Sequence, residues 1–270
     1  MNDKTLYITD LDGTLLRRDQ TISPYTAGTV SALVQKGMIF SYATARSIAT
    51  AAKITAAITP PFPVIVYNGT FIVENGTGRI LFEQFFTEKD GRRILSVLNR
   101  GGVYPFVYAH IDGRERYSYI PHRMTEEMRR FHATRLDPRQ RQATEDTVAE
   151  GKLFHFSCID KADVLRPLYE QLREEFPCVY YKEMYSGDQW LEIMPPGVTK
   201  ASAALRLKQM LGCSRIVSFG DGANDIPLFS VSDECYAVEN ADQSLKRIAT
   251  GIIGSCDDDG VARFLSGRIG

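Results

Sequence analysis

The first apolar run, residues 4–9, is β-branched and aromatic and stops abruptly at an acidic turn. Ser23-Pro24 then supplies an N-cap followed by proline at the first helical position, and Val30, Leu33 and Val34 carry a helix to Gly37, a C-cap glycine. Residues 38–43 read as the next strand, so the order strand, helix, strand predicts parallel pairing in a βαβ unit. In residues 64–73 the dipeptide Asn68-Gly69 separates two strand-like runs, and a second turn at residues 75–78 precedes residues 79–85, which predicts antiparallel pairing.

From residue 87 the pattern changes. A helix to about residue 100 is followed by strands near 104–109 and 117–120, and by a charged stretch over 124–150 whose arginine-rich part, 135–141, reads as a solvated loop or helix face. A strand over 153–159, a helix over 163–176 carrying Val164, Leu165, Leu168 and Leu172, and a strand over 178–184 complete an α+β module. After Ser186-Gly187-Asp188 the alternation of a parallel α/β sheet returns: strand 190–194, helix 199–211, strand 215–219, a helix from 223, strand 235–238. The expected architecture is therefore α/β, a Rossmann-like three-layer core built from 1–83 and 187–270, with an inserted α+β domain at 84–186.

The 270 residues, 44% hydrophobic and 24% charged, suit a soluble globular chain of one or two domains. Thirty-two basic against thirty-three acidic side chains leave a formal charge of -1, without the electrostatic footprint of a nucleic-acid binder. The five cysteines are widely spaced with no C-x-x-C pair, which predicts reduced, mostly buried thiols. No apolar run approaches membrane-spanning length and the N-terminus has no apolar leader. A cytoplasmic monomer or homodimer, with no membrane partner, is expected.

Asp10 and Asp12 fall where the first strand ends, and ligands of open parallel sheets bind beyond the strand C-termini. Taken alone, the pair reads equally as turn and cap residues. Gly220-Asp221-Gly222-Ala223-Asn224-Asp225 follows another strand, so two acidic clusters are expected at one sheet edge, an oxygen-rich set suited to Mg²⁺. A calcium EF-hand is excluded, because counting from Asp221 the third and sixth positions are Ala223 and Ile226. A nicotinamide-dependent dehydrogenase is disfavoured, since DLDGT rather than G-x-G-x-x-G follows the first strand. Lys200 alone reads as a surface lysine opening a helix, Thr44 as a strand-end threonine, and Asn224 as a helix N-cap. Asn68-Gly69 reads as a type I′ turn or as a loop near the site, and Asp257-Asp258-Asp259 as carboxylates at a helix N-terminus. His110, His122, His132 and His155 all fall in the middle module, too scattered for a metal site.

The opening DLDGTLL, Ala43-Thr44-Ala45-Arg46 after the second strand, Lys200 in LEIMPPGVTKASAAL, and GDGANDIPLF occur together and in this order. The sequence thereby resembles the haloacid dehalogenase superfamily, specifically its Cof-type, sugar-phosphatase-like branch with a large α/β cap. The resemblance implies a Mg²⁺-dependent phosphatase of small-molecule phosphate esters, with sugar phosphates foremost. Asp10 would be the nucleophile, Asp12 the acid and base, and Lys200 the partner of both phosphate and Asp10. Thr44, the backbone around Ala45, Arg46 and Asn224 would contact substrate. Asp10, Asp221, Asp225 and the carbonyl of Asp12 would hold the metal. A phosphotransferase or mutase of the same fold, or a non-catalytic phosphometabolite sensor, are the alternatives. Ala45 and Ala201 depart from the glycines usual in the family, a change that negative φ angles would accommodate.

Overall fold

The computed structural model describes residues 4–58, 61–133, 137–183 and 185–269. They form two compact units, one made of Met1–Glu83 with Thr199–Gly270 and the other of Gln84–Val198.

In the first unit five parallel strands run in the order Gly251–Ile253, Glu234–Val238, Arg215–Gly220, Thr5–Thr9, Ile39–Tyr42. Helices cover both faces of such a sheet, so its strands are apolar on both sides, and Leu6, Ile8, Phe40, Ile216 and Phe219 are fully buried. Ala203, Ala204 and Leu207 of the helix Lys200–Met210 pack with Leu6, Ile8, Ile65 and Ile216. The helix Pro24–Gln35 begins as its sequence predicts, with Ser23 Oγ accepting the N–H of Thr26 at 3.0 Å and Pro24 in the first turn. Strand order reverses between Thr5–Thr9 and Arg215–Gly220, and the crevice beyond such a switch point is where open α/β sheets bind ligands.

Val64–Val66, Phe71–Val73 and Ile80–Glu83 make a separate antiparallel sheet, tethered to the end of the second parallel strand by the bridge Ala43 to Ile65. Because Val66 pairs with Phe71, the intervening connection is a four-residue loop, Tyr67 to Thr70, and not the two-residue type I′ turn. Asp259 does more than meet the helix Gly260–Ile269. Its carboxylate accepts Ser23 Oγ at 2.6 Å, Thr26 Oγ1 at 3.0 Å and Arg17 Nη2 at 3.0 Å, joining the last helix to the start of the first.

The second unit has a six-stranded sheet in the order Cys178–Lys182, Gln189–Ile193, Lys152–Asp160, Phe106–Ile111, Arg114–Tyr119, Gln140–Gln142. One face carries Val107, Phe156, Cys158, Leu191 and Ile193 against the apolar stripes of helices Glu88–Arg100 and Ala162–Leu172. Gln189–Ile193 corrects the sequence reading: it does not rejoin the parallel sheet but pairs antiparallel with Cys178–Lys182 and Lys152–Asp160. Part of the arginine-rich stretch is likewise a strand, Gln140–Gln142, in which Arg141 pairs with Glu150, while Arg139 pairs with Glu115 and Asp137. Arg135, Leu136 and Met184 lie outside the described residues. The five cysteines are free thiols, all buried except the half-buried Cys178. Among the described residues no helix is long and apolar enough to cross a membrane.

Candidate active site

Asp10 is the first residue past strand Thr5–Thr9, where its N–H still donates to Phe219 O at 2.9 Å and so keeps the register of the neighbouring strand. The chain then makes a wide turn, closed by Leu16 N–H on Leu11 O at 2.8 Å, with Gly13 at φ 73°. Asn240 clamps this turn. Its Nδ2 donates to Gly13 O at 2.7 Å while its Oδ1 accepts Cys256 N–H at 2.9 Å. Across the switch point, strand Arg215–Gly220 delivers Asp221, and the following turn brings Asp225 back beneath it. Gly220 is required there, because a Cβ would lie 2.6 Å from Asp225 Oδ2.

Lys200 links the two loops at their acidic ends. It opens its helix under the N-cap of Thr199, is 1% exposed, and its Nζ donates to Asp10 Oδ1 and to Asp225 Oδ1, each at 2.7 Å. Asp225 Oδ2 accepts the N–H groups of Asp221 at 3.0 Å and Gly222 at 3.2 Å, so both its oxygens are engaged. Asp221 Oδ1 accepts Thr14 Oγ1 at 3.1 Å. Asp10 Oδ2 accepts no hydrogen bond from the described residues. Asp12 is held separately from this cluster, by Arg46, with Nε on Oδ2 at 2.7 Å and Nη2 on Oδ1 at 2.6 Å.

A haloacid dehalogenase-like hydrolase model matches residues 7–265. The chain belongs to that family. It is 25% identical over 280 residues to 5-amino-6-(5-phospho-D-ribitylamino)uracil phosphatase YwtE of Bacillus subtilis, covering 95% of each chain. It is 27% identical to HMP-PP phosphatase of Serratia proteamaculans, over 95% of this chain and 92% of that one. Among solved structures, one from Streptococcus mutans superposes at TM-score 0.83 with 16% identity, covering 98% of this chain and 99% of the other. A haloalkanoate dehalogenase superfamily phosphatase from Bacteroides thetaiotaomicron superposes at 0.80 with 17% identity, covering 98% and 94%.

The electrostatics of this haloacid dehalogenase-like hydrolase call for a cation. One oxygen each of Asp10, Asp221 and Asp225 lies within 4.8 Å of the others, and a single ammonium stands against three carboxylates. Burial, helped by Asp225 and Asp12 and opposed by Lys200, lifts Asp10 to about 7. Burial and the charges of Asp10 and Asp225 raise Asp221 well above the usual carboxylate range. Burial works against the charge on Lys200, yet Asp10 and Asp225 together hold its ammonium above the ordinary value. Two carboxylates short of positive charge, in an all-oxygen donor set, fit a hard divalent ion.

The remaining predicted residues fall around this centre in the haloacid dehalogenase-like unit. Thr44 follows Ala43, whose N–H donates to Thr9 O at 2.9 Å; its Oγ1 accepts Arg46 N–H at 3.1 Å. Asn224 Nδ2 donates to Asn68 Oδ1 at 3.4 Å, so the Asn68 loop belongs to the site's surroundings. Gly69 in that loop packs on the N-cap of the Lys200 helix. Ala45 is not among the residues with positive φ, and Ala201 lies inside helix Lys200–Met210, so neither departure from glycine strains the backbone. The sequence reading missed Thr14, Gln20 and Asn240. Thr14 stood within DLDGT, and Asn240 follows a parallel strand, the place where site residues of such sheets lie. The histidines stay in the second unit, where buried His155 meets Ser157 Oγ at 3.1 Å and exposed His122 pairs with Glu145.

Proposed function

We propose that this hydrolase is a Mg²⁺-dependent phosphomonoesterase that cleaves small phosphorylated metabolites, sugar phosphates foremost, through a phosphoryl-Asp10 intermediate. The observation that supports it most is the state of Asp10: one oxygen is held 2.7 Å from the buried Lys200 ammonium and the other accepts no hydrogen bond from the described residues.

Asp10 Oδ2 attacks phosphorus, forming an Oδ2–P bond as the ester P–O bond breaks. Asp12 gives its proton to the departing alkoxide and later takes one from the water that attacks the phosphoryl-Asp10, which releases inorganic phosphate and restores the carboxylate. Lys200 fixes the nucleophile's orientation and offsets the charge that accumulates around it. The Thr44 hydroxyl accepts from Arg46 N–H, so its own proton is available to a phosphoryl oxygen, as are the Asn224 amide and the backbone beside Ala45. Asp10 and Asp221, Asp225 and the Asp12 carbonyl would hold Mg²⁺, which when bound reduces the repulsion between a carboxylate nucleophile and a phosphate dianion. In this reading the unit Gln84–Val198 selects among esters, the protein is a monomer or homodimer, and the free thiols suit a cytoplasmic location.

The test is phosphate release from a panel of sugar phosphates and p-nitrophenyl phosphate, with Mg²⁺ or chelator, for the wild type and Asp10→Asn. Release that needs the metal and vanishes in the variant is expected. A folded, metal-replete Asp10→Asn protein that kept near-wild-type turnover would overturn the assignment. Transfer of phosphate to an added sugar would point to a phosphotransferase, and binding without turnover to a sensor.

A further inference from the structure

Between the wide turn and the first helix the chain doubles back in a tight loop, with Arg17 N–H donating to Thr21 O at 3.0 Å and Gln20 N–H to Arg17 O at 2.9 Å. This loop needs a left-handed residue at position 20, and Gln20 supplies it at φ 63°. Glycine takes that conformation without penalty, whereas a side chain is strained there, so the strain has to be offset by something the side chain does. What it does is visible: Gln20 Oε1 accepts Arg46 Nη2 at 2.8 Å, the same nitrogen that donates to Asp12 Oδ1 at 2.6 Å. The Arg46 fork is thus held on its outer side by Gln20 while its inner side grips both oxygens of Asp12.

We infer that Gln20 is a positioning residue, which holds the Arg46 guanidinium in the orientation that aims Asp12 at the leaving group. This inference rests on the phosphatase reading for the role of Asp12. Arg46 engages each oxygen of Asp12 through one hydrogen bond, a fork geometry that fixes the plane of the carboxylate. Proton delivery depends on aim, and a loosened carboxylate slows only those reactions whose leaving group needs the proton.

The experiment compares Gln20→Gly and Gln20→Glu with the wild type, using an alkyl phosphate, p-nitrophenyl phosphate, thermal melting and the NMR signal of the Arg46 Nε–H. Gln20→Gly relieves the loop, so its melting temperature is expected to stay level or rise. Its kcat on the alkyl ester should fall about tenfold with KM unchanged, while kcat on the nitrophenyl ester, whose anion departs without a proton, should stay within about twofold. The Arg46 Nε–H signal should broaden. Gln20→Glu keeps an acceptor oxygen at the same place and should restore both kcat and the sharp signal. Equal losses on the two esters, an Arg46 signal that stays sharp in Gln20→Gly, or no rescue by Gln20→Glu would overturn the inference. Failure of the phosphatase reading would instead show in the wild type, as no ester turned over, and the Arg46 signal would then still decide whether Gln20 holds it.

Discussion

Lys200 Nζ and Asp10 Oδ1 lie 2.7 Å apart although 190 positions separate them in the chain, and water reaches neither group appreciably. Such a pair is worth little against an apolar replacement of both partners, but removing one partner strands a buried charge. Lys200→Met should therefore destabilise the metal-free protein by about 3–5 kcal/mol, leaving Asp10 and Asp225 facing each other. Phosphate release should fall at least about a hundredfold. Urea unfolding and a turnover assay check the two effects, and a variant as stable and active as the wild type would remove Lys200 from the site.

The pH dependence of stability follows from Asp10 and Asp221, whose carboxyls are raised chiefly by burial, Asp10 to about 7. A folded carboxyl that holds its proton more tightly than the unfolded chain stabilises the fold at low pH, and that contribution is lost as pH rises through the folded value. In chelator, Asp10 should make the melting temperature fall between about pH 4 and pH 7, and Asp221 acts in the same direction. A Mg²⁺ ion held by these carboxylates, as proposed, would compete with those protons, so added Mg²⁺ should raise the melting temperature at pH 8 and hardly at pH 5. A Mg²⁺-induced shift of equal size at both pH values would contradict the link.

Gly69 sits at φ 112°, and a Cβ there would lie 2.3 Å from Thr199 O at the N-cap of the Lys200 helix. Gly69→Ala should cost about 3 kcal/mol or more, combining backbone strain with displacement of the helix end that carries Lys200. Activity of whatever fraction stays folded should fall as well. A fully active, equally stable variant would show that this loop does not set the position of Lys200.

Asp259 provides the opposite case, since it joins the last helix to Ser23, Thr26 and Arg17 without touching the acidic cluster. Asp259→Ala should lower stability by about 2–3 kcal/mol, the cost of a carboxylate that accepts hydrogen bonds from three groups. Turnover of the folded protein at low temperature should stay within about twofold of wild type. A selective loss of kcat with unchanged stability would mean that this contact serves the chemistry.

Much of this was legible along the chain. The helix from Pro24, the parallel strands 5–9, 39–42 and 215–220, and the placement of Asp10 and Asp221 at strand ends all follow from local periodicity, capping and turn chemistry, which act within a few residues. Asp12, Lys200 and Asp225 were legible through motifs kept in order, not through any property of a lone lysine or aspartate.

The partners were not legible, because a hydrogen bond between positions 46 and 12, or 240 and 13, leaves no period in the sequence. Gln189–Ile193 misled the reading for a related reason: an apolar strand declares that it will be buried, but not which sheet its edge will meet. The sequence by itself determined the elements, their order and the kinds of reactive group available. Tertiary structure alone decided that Lys200 faces two carboxylates, that Arg46 holds Asp12, and that a strained Gln20 holds Arg46, because pairing and desolvation arise only when distant segments pack together.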